Sequence, residues 1–252
     1  MAISFGVQLY SVRDEVKSQG LASVIARVAK MGYAAVEFAG YFDHSATEVR
    51  KMLDDAGVVA CGTHVRLETL EGDELARSIE FHKTIGCEYL IVPWIDGKLR
   101  DAPEACRATA ERFSKVSAAL RPHGMKTGFH LHDIDIKPVP NGKSPWYQLA
   151  EQTPDDFILQ FDTGNAMAGG ADPVKPLLDF PGRGLSVHLK EFPVDGTATG
   201  LGSVPWQAVL DATKRVAGTK WHVIEIENYS KYTPMEAVAA SYGAMAALTR
   251  AM

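Results

Sequence analysis

Eight short apolar, β-branched runs alternate with segments of helical period along the chain, and that alternation limits the fold more than any other feature of the sequence. The runs are ISFGVQL (3–9), AAVEF (34–38), VVACGTHV (58–65), EYLIVPW (88–94), KTGFHLH (126–132), FILQFD (157–162), GLSVHLK (184–190) and KWHVIEIE (220–227). Between the first two, Leu21, Val24, Ile25 and Val28 recur at i, i+3, i+4, i+7 before Gly32 ends the helix. Ser45 with Glu48, Asp101 with Glu104, and Thr233 with Glu236 have capping-box spacing, and Pro234 falls just inside the last helix. Several strands follow a helix-ending glycine by a few residues, the rhythm of αβ loops in repeated units. Eight such units in 252 residues, with no Pro/Gly/Ser linker, predict one (β/α)8 TIM barrel as a single domain over residues 1–252. The weakest helices are those in PVPNGKSPWYQLAEQTP and ADPVKPLLDFP, which carry several prolines. An open doubly wound sheet is the rival, but GVQLYSVRDE after the first strand has no glycine fingerprint to cradle a pyrophosphate.

Composition narrows the partners. With 26 basic against 31 acidic residues the net charge is −5, which gives no electrostatic footprint for nucleic acid or anionic lipid. Cys61, Cys87 and Cys106 are odd in number and widely spaced, as expected of small core residues in a reducing compartment rather than of a disulfide framework. No basic leader or apolar run near 20 residues is present, so the expectation is a cytoplasmic protein without membrane contact. The NYS sequon at Asn228 carries no meaning without secretion.

Barrel enzymes place their reacting groups at the C-terminal ends of the strands. Here those ends carry Gln8 and Tyr10, Glu37, His64, Trp94, His130 and His132, Asp162, His188 and Lys190, and Glu225 and Glu227. Each has a mundane explanation. Asp162 before TGN suits a turn or helix cap, a single histidine suits a satisfied core position, Glu37 suits a pair with Arg13, and Glu227 and Lys190 suit the solvated rim. Together they point elsewhere, because burying Asp162, His188 and Glu225 in one mouth without compensation costs several kcal/mol. A divalent cation supplies the compensation. Imidazole and carboxylate without thiolate fit Mn²⁺, Co²⁺, Zn²⁺, Fe²⁺ or Mg²⁺ with positions open for substrate oxygens. In GFHLHDIDI (128–136), His130 and His132 share one side of the strand. One is expected to complete the coordination sphere, the other to handle protons or a substrate hydroxyl.

The stretches GVQLYSVRD, MGYAAVEF, GFHLHD, LQFDTGNA, GRGLSVHLKEF, GLGSVPWQAVL and WHVIEIE resemble the sugar phosphate isomerase/epimerase branch of the xylose isomerase-like barrels, a group that includes inosose dehydratases, ketose 3-epimerases and endonuclease IV. The resemblance runs from the first strand to the last. It implies a metal held by Glu, Asp, His and Glu at the ends of strands five to eight, and Asp162, His188 and Glu225 stand in the last three places. The first place lacks a glutamate; His130 falls closest to it by strand phase, with His132 or water as alternatives. The two-glutamate proton shuttle of the epimerases therefore cannot operate as such, since only Glu225 remains. In GLGSVPW the relatives commonly show Gly-Glu/Gln-Gly, and Ser203 is expected to cap the following helix.

The implied activity is abstraction of a proton next to the carbonyl of a keto-sugar or keto-inositol, with the metal holding the carbonyl and a neighbouring hydroxyl oxygen as an enediolate forms. Catalytic candidates are Glu225, His132 and Lys190; substrate contacts are assigned to His64, Glu37, Trp94, Glu227 and Tyr10, with Trp206 better suited to the core. Isomerisation, epimerisation and dehydration or glycoside elimination share that intermediate, and the incomplete glutamate pair tilts towards a lyase. Relatives commonly associate as homodimers or homotetramers. Two rivals remain: phosphodiester hydrolysis, which needs more ligands and a basic groove, and a non-catalytic carbohydrate-binding barrel.

Overall fold

A computed structural model of the chain describes residues 3–140 and 142–250. Its centre is a closed parallel barrel whose eight strands follow sequence order: β1 Phe5–Gln8, β2 Ala35–Phe38, β3 Val59–His64, β4 Tyr89–Val92, β5 Lys126–His130, β6 Ile158–Asp162, β7 Ser186–Leu189 and β8 Trp221–Ile224. Each lies inside one of the eight runs seen in the sequence. Closure is through β1 and β8, with Phe5 opposite His222 and Val7 opposite Ile224. Both faces of the strands are covered, one by helices and one by the barrel interior, so β1, β2, β4, β6 and β7 are buried at every residue, as the unbroken apolar runs imply.

The helices are α1 Arg13–Gln19, α2 Leu21–Met31, α3 Ala46–Ala56, α4 Glu74–Ile85, α5 Pro103–Leu120, α6 Pro145–Gln152, α7 Thr163–Ala168, α8 Lys175–Asp179, α9 Trp206–Ala212 and α10 Pro234–Arg250. In α2 the predicted stripe of Leu21, Val24, Ile25 and Val28 is buried against the barrel, and Gly32 closes the helix at φ 109°, a left-handed conformation that favours glycine. The Ser45/Glu48 capping box forms in full at α3. At α10 the Thr233 N–H and hydroxyl both donate to Glu236. The box expected from Asp101 and Glu104 does not form: Pro103 sits in the first turn of α5 and Ala102, in extended conformation, takes the cap position. Nor does Ser203 cap α9. Its hydroxyl donates to the Phe192 carbonyl, and Pro205 precedes the helix. The proline-rich segments do form helices, but α6 has 8 residues, and α7 and α8 split the next unit between them. Cys61, Cys87 and Cys106 are free and buried, and among the described residues no helix is long and apolar enough to cross a membrane.

Candidate metal centre and active site

Side chains alternate along a strand, so every second residue of each barrel strand points inward and successive inward residues form layers. Near the C-terminal end two layers are polar. The lower one holds Gln8, Glu37, Gln160 and Ser186. The upper one holds Asp162, opposite His188 in the β6–β7 register, with His130 ending β5 and Glu225 just past β8.

Glu37 is the hub of the lower layer. Fully buried, it accepts from Gln8 Nε2 at 2.7 Å, Gln160 Nε2 at 2.7 Å and His188 Nε2 at 2.6 Å, with His64 Nε2 at 3.2 Å. Room for it comes from Gly62 on the neighbouring strand, where a Cβ would stand 2.7 Å from the Glu37 carboxylate. Burial opposes its charge, but His64 and His188 outweigh that and hold the carboxyl below its usual range.

A carboxylate only accepts hydrogen bonds, so Glu37 fixes which way the Gln160 amide points. The Gln160 NH₂ group donates to Glu37 and to Ser186 Oγ at 2.9 Å, which turns its carbonyl towards the imidazoles. That carbonyl lies 3.1 Å from His130 Nδ1 and 2.9 Å from His64 Nε2. Both nitrogens therefore donate, and His130 Nε2 is left with a lone pair. The same reasoning commits His188 Nε2 to Glu37. His188 Nδ1 then faces the upper layer, 3.0 Å from Glu225 Oε2 and 3.9 Å from Asp162 Oδ2.

His130, Asp162, His188 and Glu225 each bring one donor atom into a group whose members all lie within 4.8 Å of one another, and all four are buried. Asp162 Oδ1 accepts the Asn165 N–H at 2.7 Å and so caps α7, while Asp162 Oδ2 is buried with no hydrogen bond and has the Lys190 ammonium 3.2 Å away as an ion-pair partner. A carboxylate oxygen without a hydrogen bond, two imidazole nitrogens oriented from behind and a second carboxylate fit a divalent cation of the borderline or hard class.

Part of the charge compensation is internal. Lys190, expected among the catalytic groups or leaning into water, is 2% exposed; its ammonium stands 2.6 Å from Glu227, 3.0 Å from Glu225 and 3.2 Å from Asp162. Burial opposes its charge, and the three carboxylates more than restore it. His188 behaves alike: burial works against the imidazolium, but Glu37 and Glu225 on its two nitrogens push it up to about 10. Lys190 and His188 thus face three buried carboxylates, Glu37, Asp162 and Glu225, and negative charge remains in excess. Burial and the neighbouring His188 hold His130 well below its ordinary range, as a neutral ring.

Above the cluster opens a cavity of about 360 Å³. His130 and Glu225 form part of its floor, and Tyr10, His64, Trp94, His132 and Glu227 line it. Glu37 does not. Expected as a substrate contact or as a partner of Arg13, it lies beneath the floor, while Arg13 donates to the Tyr10 carbonyl and the Tyr229 hydroxyl instead. Trp206 packs in the core and its indole N–H donates to Glu191. His132 lies beyond the end of β5, 4.9 Å from His130 between ring centres, and is outside the four-residue group.

Residues 25–248 match the xylose isomerase-like TIM barrel family. The chain belongs to that family. An inosose dehydratase of Geobacillus kaustophilus (strain HTA426) is 25% identical over 191 residues, which is 67% of this chain and 61% of that protein. The match thus spans less than two thirds of the relative's length. Among solved structures, a sugar phosphate isomerase/epimerase from Parabacteroides distasonis ATCC 8503 gives a TM-score of 0.83 at 21% identity, covering 98% of this chain and 94% of the other. The structure of the IOLI protein with a binding zinc atom gives 0.73 at 15% identity and covers 99% of both chains. These structural likenesses establish the barrel.

Sequence reasoning missed Gln160, which orients His130, and Asn165, whose side chain donates to the Leu131 carbonyl and whose backbone N–H holds Asp162. The signal for Gln160 was present: it sits two residues before Asp162, in the same inward phase. Glu191 was missed as well. It accepts from the N–H groups of Phe192, Gly200 and Val204 and from Trp206, so it fastens the loop that follows β7 beside Lys190.

Proposed function

We propose that this chain is a divalent-metal-dependent enzyme that removes a proton next to the carbonyl of a keto-sugar or keto-inositol, with isomerisation, epimerisation or dehydration as the outcome. The observation that carries the reading is the convergence of His130, Asp162, His188 and Glu225 into one cluster, of which His130 and Glu225 open onto a cavity of sugar-binding size. The inosose dehydratase and isomerase/epimerase relatives support the substrate class, and the zinc in the IOLI structure supports a metal. His130 Nε2, Asp162 Oδ2 and a Glu225 oxygen would hold the ion, joined by His188 Nδ1 once the ion has displaced the proton that this nitrogen otherwise shares with Glu225. When bound, it supplies Lewis-acid polarisation of a substrate carbonyl.

The chain's own groups do the rest. Glu37 and Gln160 hold the imidazoles in their tautomers, so the donors are set before substrate arrives. His132 contributes a ring at the cavity wall; its Nδ1 is buried without a hydrogen-bond partner, 3.8 Å from Asp135 Oδ2, and the ring is the candidate for proton transfer. Glu227, joined to Lys190 and open to the cavity, is placed to hold a substrate hydroxyl or return a proton. Tyr10 and Trp94 give the cavity apolar walls for the face of a sugar ring. The barrel is taken to act as one domain over residues 1–252.

The test is incubation of Mn²⁺- or Co²⁺-loaded protein in deuterium oxide with a panel of keto-sugars and inosose. Deuterium entering the carbon next to the carbonyl is the expected result. A folded, metal-loaded protein that exchanges none of them overturns the reading.

A further inference from the structure

Next to the cavity over the cluster lies a second one of about 340 Å³, and Pro93 and Trp94 belong to the walls of both. Trp94 is therefore a partition between two chambers. Its side chain is 54% exposed, which forgoes much of the burial a tryptophan usually gains. Even so, it is held in place. The Arg100 guanidinium lies 4.5 Å over the indole, and His132 packs edge-on at 5.3 Å. Arg100 is nearly buried, donates to the Ile95 carbonyl at 2.6 Å and stands 3.4 Å from Asp135. Asp135, fully buried, accepts the His132 N–H at 2.9 Å. One buried pair thus ties the exposed indole to the backbone of the residue that faces the reaction cavity.

The rest of the second chamber mixes signs. Arg66 and Lys98 share the wall with Glu68 and Asp96: Arg66 lies 3.6 Å from Glu68, and Asp96 accepts the Lys98 backbone N–H at 3.0 Å. Such a wall has no surplus charge for a phosphate, but it offers donors and acceptors in turn, as a neutral polyhydroxylated ring requires. Taken alone, each chamber is near the lower end of the ~300–1,000 Å³ range of small-molecule sites, so a two-ring ligand needs both.

We propose that the second chamber is a subsite for the second ring of a glycoside, with Trp94 as its stacking platform, so that the substrate is a two-ring keto-glycoside rather than a free monosaccharide. The proposal rests on the keto-sugar reading of the neighbouring cavity. Arg100 and Asp135 are positioning residues for the platform.

Calorimetric titration of the Mn²⁺-loaded full chain with cellobiose, maltose and lactose, against glucose and galactose, tests it. At least one disaccharide should bind ten-fold or more tightly than either of its component sugars and quench tryptophan fluorescence. Trp94→Ala, and separately the Arg66→Ala/Lys98→Ala double variant, should each lower that disaccharide-to-monosaccharide ratio at least five-fold. Equal binding of one- and two-ring sugars, or a ratio that survives both variants, overturns the subsite and leaves the keto-sugar reading standing. Absence of binding by every sugar in the panel, judged with deuterium exchange also absent, overturns both.

Discussion

The two ends of the barrel are built from the same strands and differ in everything else. Towards the N-terminal end the interior is filled by Ala35, Cys61 and Val223, and by Tyr89, Ile91 and Ile158, with Trp221 packed against both groups. Two residues further along the same strands stand Glu37, Gln160 and Glu225, and beyond Gln160 stands Asp162. One end lowers the free energy of the fold by removing apolar surface from water. The other keeps three buried carboxylates against two buried cations, and only a precise hydrogen-bond network makes that tolerable. A chain under pressure for stability alone has no use for the second arrangement. Stability and chemistry are therefore divided along the barrel axis.

Substitutions at matched positions should separate the two roles. The largest effect is expected at Asp162. Asp162→Asn keeps an oxygen to cap α7 but removes the anionic donor, so tight metal binding and turnover should fall by a factor of about 1,000 or more, while circular dichroism and the unfolding midpoint change little. Its counterpart at the other end, Ile158→Ala, should cost about 2–5 kcal/mol in denaturant unfolding and leave metal affinity within a few-fold. Exchange of these two outcomes would break the division.

Smaller effects sharpen it. Gln160→Leu removes the carbonyl that holds His130 Nδ1 and should weaken metal binding about 10–100-fold, read by calorimetric metal titration. His130→Ala should weaken the metal more than His132→Ala; the reverse order would exchange their roles. Lys190→Met removes a cation that repels a second one, so metal affinity should hold or rise a few-fold while turnover falls. Loss of metal from that variant would instead make the lysine part of the metal's support.

Much of this was legible in the chain. The eight strands were readable because parallel strands buried on both faces are written as unbroken apolar runs, several of them following a helix-ending glycine. The metal-competent residues were readable because Asp162, His188 and Glu225 close strands in inward phase. Depth was not. Phase places Glu37 inside the barrel, but strand stagger puts it beside Gln8 and Gly62, below the cavity floor, and stagger is set by pairing between strands. Helix α1 went unrecognised because Val16 is its only buried residue and no apolar stripe marks it. The tie from Arg100 to Asp135 joins the loops after β4 and β5, so no local spacing could announce it.

The central claim is that one ion is shared by strands β5 to β8 at the mouth. Anomalous diffraction from a crystal soaked in Mn²⁺ measures it directly. The account predicts a single strong peak touching His130, Asp162, His188 and Glu225; no peak there, with Lys190 still seated between Asp162 and Glu225, would contradict it.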